Sequence, residues 1–172
     1  VFMVLGPAYL TSVTDSSKSA QHRVDMWVEG IEMVQHNPLF GIGKGNFAAY
    51  TGRLIAHNSG IEIMGELGLP GLFFWVAIIY FGMRTLVLRY MESVDARERE
   101  LLVGLGICII GYVVSSLFVT LEYETWYFVL ALAAAIGNWS ASTPIVTRRD
   151  LGVVGAITVG YVALIKAFVM VY

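Results

Sequence analysis

His57 stands directly before Asn58-Ser59-Gly60-Ile61-Glu62, in which Ser59-x-x-Glu62 has the spacing of a helix capping box. That pattern predicts a short helix starting at Asn58 or Ser59, ended by Gly68 and Pro70. His57 then sits at the positive end of a helix dipole, which disfavours the imidazolium form. An uncharged imidazole is what a general base requires, and the same helix end attracts phosphate. A base and an anion site within one turn suit group transfer from a phosphorylated donor. The plainer alternative is a histidine that only caps the helix or faces solvent.

Further polar residues crowd the same region. Val24, Trp27, Val28, Ile31 and Val34 recur at helical spacing, with Asp25, Glu29, Glu32 and Gln35 on the other face. Residues 19–36 therefore read as an amphipathic helix closed by Asn37-Pro38, carrying Arg23 beside His22. Arg23 can pair with Asp25 or grip a phosphate through its planar fork. Trp27 can serve as an apolar anchor or as a platform for a sugar. The run PLFGIGKGNF at 38–47 lacks both a preceding strand and the GxxxxGK[ST] spacing, which disfavours ATP binding. Two readings stay open for it: a tight turn that needs glycine at positive φ, or a nest of backbone amides facing an anion, with Lys44 adding charge. Arg53 follows as a further cation, available to a ligand or to lipid headgroups.

The elements that must position these residues are membrane helices. Of 172 residues, 57% are hydrophobic and 14% charged, and mean hydropathy is +0.70. A soluble domain runs near 25% charged. A net charge of −2 gives no field for binding nucleic acid, and the lone Cys108 excludes a disulfide scaffold and a cysteine-based zinc site. The expected fold is all-α and integral to the bilayer: a multi-span bundle fragment with one large extracytoplasmic helical loop. Residues 1–10 read as the end of a truncated transmembrane helix, residues 11–68 as the loop with its amphipathic helices, and 69–172 as about four spans at 69–90, 101–121, 123–139 and 151–172. Arg84 and Arg89 stand near the end of the first of these spans, Arg97 and Arg99 follow it, and Arg148 and Arg149 precede the last. The positive-inside rule sends both groups to the cytoplasm, and so the 11–68 loop and the Glu122/Glu124 turn to the outside. Trp126, Tyr127 and Trp139 fall at span ends, as an aromatic belt does.

In this setting the chain resembles the O-antigen ligase and polymerase superfamily of bacterial membrane glycosyltransferases. The resemblance covers about residues 20–85. It rests on Arg23 and Trp27, then HNPLFGIGKGNF (36–47), then AHNSGIEIMGELGLPGLFF (56–74), in which His57 and Gly68 fit the family's His-x10-Gly pattern. It implies an enzyme of the inner membrane, active at the periplasmic face, that moves a glycan from an undecaprenyl-diphosphate carrier to an acceptor hydroxyl. The acceptor would be a lipid A core sugar in a ligase, a growing glycan in a polymerase, or a protein in an O-oligosaccharyltransferase. The resemblance also implies an inverting reaction with no metal, nucleotide or other cofactor. His57 matches the family's loop histidine and Arg23 its loop arginine. Of the other polar and aromatic residues in the loop, Lys44, Arg53, Asn58 and Trp27 are expected to contact the donor. The ligases often carry Arg-x3-Leu; Trp27 stands at that offset here, which tilts the reading from ligase towards polymerase.

Two other classes compete. A transporter or flippase for lipid-linked glycan predicts ionisable residues or broken helices at the bilayer midplane. A packing subunit without chemistry would be marked by small residues such as Gly104, Gly106, Gly111 and Ala133 to Ala135.

Overall fold

The structure, a computed structural model, describes residues 7–52, 54–121, 124–137 and 146–171. Among these it is a bundle of helices in the order α1 (Pro7–His36), α2 (Phe47–Tyr50), α3 (Ser59–Glu92), α4 (Ala96–Ser116), α5 (Glu124–Gly137) and α6 (Arg148–Val171). Helix α3 is the hub, packing against α1, α2, α4, α5 and α6.

Three helices are long and apolar enough to cross a membrane: α3, α4 and α6. Only 17% of the apolar window of α6 is buried inside the chain. Exposed Phe74, Ile78, Val103, Ile107, Ile110, Val114, Ile157 and Leu164 line the outer surface of the three, an apolar area that water would penalise and lipid tails would not. Helix α5 is shorter than the span expected over 123–139. Its 14 residues rise about 21 Å, against a hydrocarbon core of about 30 Å. Trp139, one of the expected belt residues, lies outside the described residues.

Helix α1 also departs from expectation. A stump ending near residue 10 followed by a separate helix from 19 is replaced by one continuous helix, because nothing between Pro7 and His36 breaks the backbone pattern. Its predicted apolar face is nonetheless the one that packs. Val34 is buried, and Val24, Trp27, Val28 and Ile31 are half-buried, beside Met26, Gly30 and Met33. Asp25, Glu32 and Gln35 face out. Gly30 permits the closest approach, since a Cβ there would fall 2.4 Å from Ile61 Cγ2 on α3.

Helix α3 is broken where the sequence places a stop. Gly68 adopts φ 71, ψ −170, and Pro70 begins the second part. The 70–92 stretch rises roughly 34 Å and can cross the bilayer alone. Two apolar clusters pack along α3, the first straddling the break and the second further on. One joins Met26, Met33, Phe47, Ile61, Met64, Leu72 and Val154; the other joins Leu86, Leu102, Leu105, Ile109, Leu130 and Ala133.

Charged groups fasten the opposite end of α3. Asp150, buried in the first turn of α6, accepts a hydrogen bond from Tyr80 Oη at 2.8 Å and pairs with Arg84 Nε at 3.0 Å. Its other oxygen accepts from Thr147 N (2.9 Å) and Thr147 Oγ1 (2.7 Å), while Asp150 N donates back to Thr147 Oγ1 at 3.2 Å. This reciprocal cap starts α6 and ties it to α3 in one stroke. Arg89 and Ser93 of the α3 end both reach Glu98 on α4. The arginine-rich regions around 84–99 and 148–149 are thereby drawn towards one end of the bundle. Asp150→Ala leaves the Arg84 guanidinium without this partner. It is expected to destabilise the full-length protein by about 2 kcal/mol, read as a thermal midpoint several degrees lower in detergent, with Tyr80→Phe costing less. An unchanged midpoint for Asp150→Ala would contradict the latch.

Candidate functional site

Two linked structures build the site: a loop that seats the first part of α3, and a junction that holds the residues around its start. The 38–47 run is the loop. Ile42 N donates to Gly65 O (3.0 Å), Gly43 N to Glu66 O (2.9 Å) and Leu69 N to Pro38 O (2.9 Å). The loop thus takes up carbonyls that the break at Gly68 frees from the helix ladder. The approach is backbone to backbone. A Cβ on Gly41 (φ +61) would fall 2.4 Å from Glu66 C, and one on Gly68 (φ +71) would fall 2.7 Å from Pro38 O. Of the two readings of GIGKG, the tight turn is therefore the one seen, because the amides of Ile42 and Gly43 point at α3 and not at an open nest.

Glu66 completes this seat. The residue is 2% exposed, and its carboxylate accepts from Phe47 N at 3.0 Å at the start of α2 and lies 3.4 Å from Lys44 Nζ. Lys44, expected to contact the donor, is 56% exposed along its side chain and is turned towards that buried acid.

At the junction, His57 is half-buried and has φ 50, a left-handed conformation that a residue with a Cβ seldom adopts. Its neighbours on both sides are fixed. Ala56 is fully buried, and its carbonyl accepts from Trp27 Nε1 at 2.9 Å. Asn58, 1% exposed, caps α3: Oδ1 accepts from Ile61 N at 3.2 Å and from Tyr161 Oη at 2.5 Å, and Nδ2 donates to Leu117 O at 3.3 Å. Ser59 Oγ donates to Val119 O (3.1 Å) and accepts from Leu121 N (2.9 Å), while Glu62 Oε2 accepts from Thr120 Oγ1 (2.7 Å).

These bonds revise two expectations and give two expected substrate contacts a part in the scaffold. The Ser59–Glu62 capping box does not form; Asn58 is the cap, and Ser59 and Glu62 instead bind the 119–121 segment that follows α4. The start of α3 does not open to a phosphate, because Ser59, Gly60 and Ile61 are buried under that segment and under Tyr161. Asn58 and Trp27, both expected to touch substrate, are committed to the scaffold: Asn58 as above, and Trp27 through its N–H to Ala56 and its ring 5.3 Å from that of Phe168. Arg53 lies outside the described residues.

Arg23 is exposed on α1, one turn before Trp27 and two turns before Gly30. That places it on the face of α1 that packs against α3, just beyond the last packed turn. Trp27, one turn on along the same face, reaches Ala56, the residue before His57. His22 is exposed, and His36 Nδ1 bonds Glu32 O at 2.8 Å at the end of α1. The residues that sequence reasoning missed are Tyr161, Glu66 and the 117–121 segment. Each acts on a partner remote in the chain, up to 103 positions away for Tyr161 and Asn58.

Fold and site together define an all-α membrane protein in which a helical segment, 7–67, packs on the spans and presents a histidine at a fixed helix start. Residues 2–76 match a family model described as O-antigen ligase, and over that segment, which contains Arg23, the 38–47 loop and His57, the chain is similar to that family. No curated protein and no solved structure matches the chain. The family match supports an enzyme of glycosyl-transfer type, ligase or polymerase, acting in surface-polysaccharide biosynthesis.

The close backbone approach at the break yields a graded test. Gly68→Ala combines positive φ with a backbone clash and is expected to cost roughly 3 kcal/mol. Gly45→Ala, at φ +80 but with open space around the added Cβ, is expected to cost about 1 kcal/mol. Equal thermal midpoints for the two variants would contradict the seating of the loop on α3.

Proposed function

We propose that the chain carries the catalytic histidine of a metal-independent glycosyltransferase of the O-antigen ligase or polymerase type. It would move a glycan from an undecaprenyl-diphosphate carrier to an acceptor hydroxyl on a lipid A core or a growing glycan. The proposed setting is the periplasmic face of a bacterial inner membrane, with residues 11–68 outside and the arginine-rich ends of the spans in the cytoplasm. The observation that supports the reading is the Trp27–Ala56 hydrogen bond, which holds the residue one turn after Arg23 against the residue before His57.

In the proposed step the acceptor oxygen attacks the anomeric carbon. The bond from that carbon to the diphosphate oxygen breaks, and the diphosphate leaves with the electron pair. His57 takes the acceptor's proton or holds the hydroxyl in line; general-base help of this kind is worth about 10²–10⁴ in rate. Arg23 grips the diphosphate, and its bidentate geometry matches the charge that develops on the leaving oxygens. Lys44 and Arg53 are proposed as outer contacts for the same charge. Diphosphate is already a good leaving group, so cationic side chains suffice in this scheme without a metal.

Two features bear on the transporter alternative. The helix break at Gly68 has its freed groups taken up by the 38–43 loop, and the Arg84–Asp150 pair lies at the first turn of α6. Neither forms the open mid-span ion site that a transporter needs. A protein acceptor would use the same chemistry and differ only in what supplies the hydroxyl.

In the full-length protein, His57→Ala and Arg23→Ala are expected to lower glycan transfer by at least about 10²-fold at normal membrane levels. Wild-type transfer by the His57 variant would end the catalytic assignment. EDTA is expected to leave transfer intact; a loss restored by Mg²⁺ would contradict the metal-free scheme.

A further inference from the structure

Helix α6 lies outside the 2–76 match, yet it touches Asn58, the residue after His57, and Trp27, which holds the residue before it. Tyr161 and Phe168 are seven residues apart, two turns along one face. Tyr161 Oη donates to the side chain of Asn58, the residue after His57. Phe168 packs on Trp27, whose indole N–H holds the carbonyl of Ala56, the residue before it. Room for the tyrosine is specific. A Cβ on Gly60 would fall 2.4 Å from Tyr161 Oη, so only a glycine in the first turn of α3 lets the hydroxyl reach its acceptor. The acceptor is itself immobile, because Asn58 already caps Ile61 N and donates to Leu117 O. Between these fixed neighbours His57 is kept at φ 50, a conformation that persists only where the surroundings over-determine it.

We infer that Tyr161 is a positioning residue for His57, its hydroxyl fixing Asn58 so that the preceding imidazole is presented in one orientation. The inference rests on the proposed role of His57 in glycan transfer. It assigns to the last helix a part in the reaction that neither the family match nor the spacing of the sequence reaches. Tyr161 touches no reacting atom in this scheme. Its effect is on the orientation of the base, and a misplacement of well under an ångström is enough to be felt in the rate.

The test uses the full-length protein with carrier-linked glycan as donor. Tyr161→Phe removes one O–H and keeps the ring. It is expected to lower kcat about tenfold, with KM for the donor within about twofold and an unchanged thermal midpoint. Gly60→Ala drives the hydroxyl away from the other side of the bond, with a residue that favours helix, and is expected to give the same fall. On the residual transfer of His57→Ala, Tyr161→Phe is expected to have no further effect, because the group it orients is gone. Wild-type kcat in both single variants would overturn the inference. So would a kcat loss that tracks a lowered midpoint, or full additivity on the His57→Ala background. Should His57→Ala itself transfer glycan at the wild-type rate, the proposed function fails and this inference with it. Should His57→Ala be inactive while Tyr161→Phe and Gly60→Ala are silent, only the inference fails.

Discussion

The hydrogen bond from the Trp27 indole to the Ala56 carbonyl is the contact on which the site depends. It joins a helix whose outer face is polar to the start of a helix that can cross the membrane, and it does so one residue before the histidine. A buried amide carbonyl without a partner costs about 1–3 kcal/mol, so Ala56, fully buried, strongly favours the arrangement in which α1 lies across it. From that placement the rest follows by geometry. Gly30 lets α1 approach Ile61, Met33 and Phe47 fill the space over Gly65, and Arg23 is left one turn beyond the packed region, where its guanidinium faces out.

A second constraint is the break in α3. A straight helix from Ser59 to Glu92 would be roughly 51 Å long, well beyond the hydrocarbon thickness, and would carry Glu62 and Glu66 with it. Bending at Gly68 separates a 70–92 span from a shorter first part whose acids are satisfied locally: Glu66 by Phe47 N and Lys44, Glu62 by Thr120 among others. The loop that supplies the partners of Glu66 also takes up the carbonyls freed by the bend. One glycine-containing loop therefore resolves both the backbone and the charge problem of placing polar residues beside a membrane helix.

How much of this was legible depended on range. The apolar face of α1, the start of α3 near Asn58 and the stop at Gly68 and Pro70 are written in spacings of three to ten residues, and the structure shows all of them. The match over 2–76 falls on the same motifs that carried the resemblance in the sequence. The capping box was misread because Ser59 and Glu62 find better partners in the 119–121 segment, about sixty positions on, and local spacing holds no record of that. GIGKG had two readings because a glycine turn and an anion nest need the same backbone; only the positions of Gly65 and Glu66 separate them. Tyr161 stands in an apolar span whose spacing carries no mark of a role. Its importance comes from Gly60, and nothing in either local sequence connects the two.

The central claim is that Arg23 and His57 face one another across the diphosphate of a lipid-linked donor. The most direct measurement is a cryo-EM map of the full-length protein in lipid with undecaprenyl diphosphate bound. The account predicts diphosphate density between the Arg23 guanidinium and the His57 imidazole, with Trp27 still bonded to Ala56. Density for the diphosphate elsewhere, with both side chains left in water or sealed from it, would contradict the account.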